Sequence, residues 1–167
     1  MNYKTLIDDF VLRLAPLLDD GIEVERLPET EGEYTKPFDN ARVTVAYKSS
    51  EFYRQDVKGL PGSLSTNEYV GQEFAEVHVA VRSRLLYDDS TGVFAVTAAV
   101  KKLLYGFTPT HFGRVAPKTY GIGENENGVW MCVLVFVCES VAVQYLADDA
   151  AIEYPELEGI TFNISTS

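Results

Sequence analysis

QEFAEVHVAVRSRLLYDDSTGVFAVTAAVKKLLYGF, residues 72–107, is the stretch that decides the fold. Its first half alternates. Ala75, Val77, Val79 and Val81 point one way, and Glu76, His78, Ala80 and Arg82 the other, which is the period of a strand with one face in a core. Asp88, Asp89, Ser90 and Thr91 follow. Acids and hydroxyls of this kind cap a helix N-terminus and suit its positive end. Val93, Val96, Val100, Leu103 and Leu104 then fall on one side of a helix predicted to run to about Tyr105. Lys101 and Lys102 suit the negative end of that helix, and Gly106 supplies its stop.

Working outward, residues 2–18 place Leu6, Ile7, Phe10, Val11, Leu14, Leu17 and Leu18 at three- and four-residue spacings, so an amphipathic helix is expected. Pro16 marks or kinks its last turn, and Gly21 ends it. Residues 22–26 read as a short strand and 27–40 as a loop. Residues 41–47 alternate as a half-buried strand, with Val43, Val45 and Tyr47 on one face. Residues 48–71 read as a long loop carrying Phe52, Tyr53, Leu60 and Leu64, with a long hairpin as the alternative. A loop of that length in a compact domain is usually functional or disordered, so these four residues are the candidate subunit and partner contacts. Residues 118–122 and 129–143 read as strands, joined by a polar turn that contains the hairpin dipeptide Asn127-Gly128. The second strand is apolar throughout, so both of its faces are expected to be covered, one by a helix and the other by a neighbour or a second sheet. Residues 148–158 form an acidic tail, and 159–164 a last possible strand. No repeat or linker divides the chain. The expectation is a single α+β domain over residues 1–167, with a long loop at 48–71 and a C-terminal extension at 148–167.

The chain has 167 residues, 46% of them apolar, enough for a real core. No apolar run approaches the roughly 20 residues of a membrane helix. The first residues do not pair a basic segment with a short apolar core, so cytosolic synthesis is the expectation. Net charge is −11, with 25 acids dispersed among 14 cations. DNA affinity rests on many cationic phosphate contacts, so gripping DNA is not expected of this chain. Cys132 and Cys138 share one face of a strand about 20 Å apart. That is too far for a disulfide, and buried free thiols are expected.

Chemistry is hard to find. His78 lies on a strand's polar face beside Glu76 and Arg82, where a solvated or salt-bridged role is expected, and His111 sits in a Pro/Gly-rich loop. Neither has HExxH spacing, and the cysteines lack CxxC spacing. The acid pairs at 8–9, 19–20, 88–89 and 148–149 do not follow the spacing of a calcium loop. Gly121, Gly123 and Gly128 precede a strand, not the helix a phosphate loop needs. No enzymatic activity, metal or cofactor is expected.

Three pieces together carry a resemblance: VRSR before the helix, the LLYGF stop, and the strand NGVWMCVLVFVCESV, all after an N-terminal amphipathic helix. Over residues 1–143 this order resembles the tail terminator proteins of tailed bacteriophages, particularly those of Mu-type contractile-tailed phages and prophages. The resemblance implies an antiparallel or mixed β-sheet flanked by two main helices. It implies a hexameric ring on the head-proximal end of the tail tube that stops tube polymerisation. It implies contacts with tail tube protein, sheath protein and neck or connector proteins, and DNA passing through without specific binding. A place in the virion's neck region, after assembly in the host cytoplasm, goes with it. The alternatives are another head-tail connector component, or an unrelated small ligand-binding domain or enzyme.

Overall fold

A computed structural model describes residues 3–29, 32, 36–54, 68–124 and 128–145; for 52–54, 68–71, 124 and 141–145 it describes the backbone alone. The chain opens with helix α1 (Tyr3–Leu14) and a 3-10 helix (Ala15–Asp20), followed by strands β1 (Ile22–Arg26), β2 (Ala41–Arg54) and β3 (Glu68–Ser83). Helix α2 (Val93–Leu104) and strands β4 (Ala116–Glu124) and β5 (Trp130–Tyr145) complete it. The sheet order is β1-β2-β3-β5-β4. β1 runs parallel to β2, and all other neighbours are antiparallel. The fold is α+β: a mixed sheet with two main helices.

The helices form where the sequence periods place them. α1 buries Leu6, Ile7, Phe10 and Leu14. Pro16 lacks an amide proton and therefore sits in the first turn of the 3-10 helix, where that proton has no partner. Gly21, at φ 72, then reverses the chain and donates its N–H to the Leu18 carbonyl at 3.0 Å. α2 buries Val93, Val96, Thr97, Val100 and Leu104, with Lys101 and Lys102 in its last turn.

Both helices pack on one face of the sheet. That face is made by Val43 and Val45, by Ala75, Val77, Val79 and Val81, and by Cys132, Leu134, Phe136 and Cys138. Phe10 joins the layers: its ring meets Phe107 at 5.9 Å and Phe136 at 6.3 Å, both edge-on. Arg13 fixes the helix pair. Its Nε donates to the Leu103 carbonyl at 2.9 Å, and its guanidinium lies 5.6 Å from the centre of the Phe107 ring. Cys132 and Cys138 are buried free thiols on this face, and burial pushes the Cys138 thiol up to about 12.

One buried carboxylate interrupts the apolar face. Glu73 is 1% exposed. Tyr3 donates its hydroxyl to Glu73 Oε1 at 2.6 Å and stacks on Tyr47 at 4.2 Å. The bond to Glu73 raises the Tyr3 phenol to about 12 from its ordinary 10.0. A raised folded-state value means that the protonated phenol stabilises the fold. Its contribution is complete below pH 10 and is lost as pH climbs towards 12. Tyr3→Phe leaves the Glu73 carboxylate buried without this donor, a loss of about 1.5–3 kcal/mol at neutral pH. Urea titrations at pH 7 and pH 11 check this, and the gap between wild type and variant narrows at the higher pH.

Four expectations need correction. Residues 48–54 and 68–71 are strand, so the flanks of the expected loop extend the β2–β3 hairpin. The ladder passes a bulge between Tyr47 and Ser49 and then continues to Arg54 opposite Gly71. The polar spacing of this stretch had masked a ladder held by its backbone. Asp88 does not cap α2. The residue before the helix is Gly92, with no side-chain cap. Asp88 Oδ1 instead accepts from the backbone N–H and hydroxyl of both Ser90 and Thr91, at 2.7–3.0 Å, closing the turn that precedes the helix. These four bonds hold the Asp88 carboxyl well below its usual range. The β2 face opposite the core is not solvated at Arg42 and Thr44, which are 5% and 1% exposed. Finally, among the described residues no second sheet covers the outer face of β5.

Candidate assembly surface

The sheet face turned away from the helices carries the candidate site. Along β5 this face presents Met131, Val133, Val135 and Val137, of which only Val135 reaches burial. A continuous apolar strand therefore does not require two covered faces within one chain. Here the second face is a half-exposed apolar band.

Beside the band runs a polar network. Glu76 on β3 accepts from Lys118 Nζ at 2.6 Å and meets His78 Nε2 at 2.7 Å. Lys118, then His78, hold the Glu76 carboxyl below its usual value. The Lys118 side chain is 54% exposed, so this pair contributes under about 1 kcal/mol to stability. Gln72 donates to Glu139 at 2.9 Å along the same face. Ser49, Glu51, Gln72, Phe74, Glu76, Lys118 and Val137 line a groove of about 580 Å³ with an apolar floor and a charged rim.

The β2 end of the face is closed differently. Phe38 lies beneath two guanidinium groups, Arg42 at 5.5 Å and Arg82 at 5.6 Å from its ring centre. Arg42 also donates to Glu23 at 2.7 Å and to the carbonyls of Lys36 and Pro37 at 3.2 Å. A buried charge tolerates removal from water only when its donors are met, and these contacts explain why Arg42 is inside. A separate exposed aromatic pair, Tyr87 stacked on Phe94 at 5.5 Å, stands near the start of α2.

The sequence candidates fare unevenly. Phe52 and Tyr53 lie on β2, in register with Glu73 and Gln72, so they belong to the hairpin and not to a loop. Leu60 and Leu64 lie outside the described residues. The structure therefore places Phe52 and Tyr53 next to each other on one strand. His78 Nε2 lies 2.7 Å from Glu76 Oε1, the strand neighbour that the sequence placed beside it. His111, at φ 67, occupies an exposed turn where the Phe112 N–H reaches the Pro109 carbonyl at 3.1 Å. Among the described residues, no group of three or more His, Cys, Asp or Glu is placed to hold a metal. No residue of the groove was a sequence candidate, Lys118 among them. Lys118 meets Glu76 across 42 positions, a pairing without a local signature.

Two helices on one side of a five-stranded mixed sheet, with the other side partly bare, make this a two-layer α+β protein. The family model for Gp37 protein matches residues 10–163, and the chain belongs to the Gp37 family. That match reaches through most of the segment read as a C-terminal extension. Among solved structures, a chain described as "Virion of native gene transfer agent (GTA) particle" is similar, with a TM-score of 0.55 and 12% identity. It covers 84% of this chain and 97% of that one. At that identity the likeness is one of fold. No curated protein matches the sequence.

Proposed function

We propose that this Gp37-family chain is a non-enzymatic structural protein of a phage-like virion, and within it a tail terminator. In this reading it forms a hexameric ring at the head-proximal end of the tail tube. The ring stops tube polymerisation and offers a docking surface to the neck. The observation that carries the reading is the fold likeness to a virion chain over 97% of that chain's length. The half-exposed apolar band and charged groove of the sheet support it. Ring subunits need two different complementary surfaces, because heterologous contacts close a ring where self-complementary ones stop at a pair. Tube, sheath and neck proteins are the partners this role requires. The −11 charge, multiplied around a ring, repels DNA and lets it pass.

Deletion of the gene, followed by electron microscopy of the particles, tests the role. Overlong tubes without heads are expected. Tails of normal length that lack heads point instead to a connector, and normal headed particles overturn both readings.

A further inference from the structure

We propose that the exposed side of helix α2, with Tyr87, Phe94 and Tyr105, packs on the half-exposed sheet face of a second copy of this chain, over its β4 and β5. The proposal rests on the ring reading and names the contact that joins the subunits.

The helix side carries more apolar surface than a solvated helix needs. Phe94, Ala98 and Lys102 repeat at four-residue spacing on the side of α2 turned away from Val93, Val96 and Val100, and all three are exposed. Tyr105, 73% exposed, continues the line at the helix end. Tyr87, 79% exposed, stacks on Phe94. Scattered apolar residues are ordinary on a surface, whereas three aromatic side chains in one line mark a contact.

The receiving face has matching relief. Val133, Val135 and Val137 form a ridge on β5. On β4, Gly121 and Gly123 are paired with Val133 and Met131, so they share that face and add no side chain to it. A Cβ built at either glycine meets nothing within 4 Å. The glycines thus leave a shelf beside the valines that an aromatic ring can fill. A helix about 10 Å across covers two strand spacings of about 4.8 Å. The lengths agree as well. With Phe94 on the shelf at the level of Val133, Lys102 lies about 12 Å further along its helix. Val137 lies about 13 Å further along its strand.

Charge selects α2 as the occupant. At the level of Val137 the face is acidic: Glu51 and Glu139 are exposed, and Glu139 accepts from the uncharged amide of Gln72. α2 carries Lys101 and Lys102 in its last turn and no acid. Lys101 Nζ stays 3.4 Å from the Tyr120 ring centre of its own chain, while Lys102 is exposed. Helix α1 offers a single large exposed hydrophobic, Leu12, and carries Asp8 and Asp9, which the same carboxylates repel. Rings over glycines and an ammonium over carboxylates are complementary.

The occupant has to come from another copy. A chain's own α2 is fixed on the opposite face of its sheet through Val93, Val96 and Val100. The two surfaces differ and lie on opposite sides of one protomer, so the contact is heterologous, the kind that closes a ring.

Disulfide trapping tests this in the full-length chain. In the double variant Ala98→Cys/Val135→Cys the new thiols lie on opposite sides of one sheet and cannot meet within a chain, and the natural thiols are buried. Oxidation is expected to give a ladder of linked chains in denaturing electrophoresis, while each single variant stays at the chain mass. No ladder from the double variant, or the same links from a single one, overturns the inference. Phe94→Glu and Val133→Glu supply a second measurement. Neither side chain is buried, so unchanged circular dichroism is expected, with loss of the ring in light scattering. Rings from both variants refute this contact and leave the ring standing, and if those rings no longer join tails the face belongs to another virion protein. A wild-type chain that stays a monomer refutes the ring itself.

Discussion

Phe10→Ala lowers the free energy of unfolding by about 3–5 kcal/mol, read from the shift of the urea midpoint. Phe10 is fully buried and is the side chain that meets both Phe107 beyond α2 and Phe136 on β5. Its removal takes away apolar burial and leaves a cavity where three elements converge. The neighbours cannot all close in, because Arg13 and the Leu103 carbonyl fix the spacing of the helix pair from above. Domains are stable by only about 5–15 kcal/mol, so the variant sits near the threshold of folding. A shift below about 1 kcal/mol would mean that the three elements do not meet at this ring.

Gly92→Ala is the second large effect, although it adds a single methyl group. A Cβ at this position would stand 2.5 Å from the Asp88 carbonyl oxygen and 2.6 Å from the Asp88 nitrogen. Both are backbone atoms of a turn already fixed by the Asp88 carboxylate and by the Gly92 N–H to Asp88 carbonyl bond at 3.1 Å. The turn or the start of α2 must shift, at about 1–3 kcal/mol. Gly121→Ala is the control. It meets nothing within 4 Å, and the change stays within about 0.5 kcal/mol. Equal losses in the two variants, measured by thermal unfolding, would remove the steric explanation.

The elements most legible in the sequence are those set by local periodicity. The 3.6-residue spacing of Leu6, Phe10 and Leu14, and of Val93, Val96 and Val100, placed both helices to within a few residues. The alternation in 75–81 gave β3 its correct inward face. Lengths failed where hydrophobicity gave no guide. β2 continues through Lys48, Ser49 and Ser50 because the ladder to β3 persists past a bulge, and polar side chains do not reveal a backbone pairing. Asp88 read as a cap of α2, yet its partners are the hydroxyl groups and amides of Ser90 and Thr91 in the turn before the helix.

The candidate surface was less legible for a related reason. Phe52, Tyr53, Leu60 and Leu64 stood out as apolar residues in a polar stretch, which is a local signal. The groove is made instead by residues from four separate stretches, brought side by side by strand order. Arg42 behaves likewise. An arginine on the nominally polar face of β2 reads as solvated, yet it is buried because Phe38, from the preceding loop, lies against it.

The placement of β5 has a consequence for synthesis. β5 comes last among the described strands but lies inside the sheet, between β3 and β4. It is paired with β3 over its full length, from Trp130 to Tyr145. Until the ribosome has delivered it, β3 and β4 have no common neighbour, and the apolar stripes of both helices lack the strand carrying Leu134 and Phe136. Such late, non-local pairing makes folding slow. It also acts as a timer: a nascent chain cannot present a finished sheet, with its half-exposed face, to other subunits before β5 has been delivered.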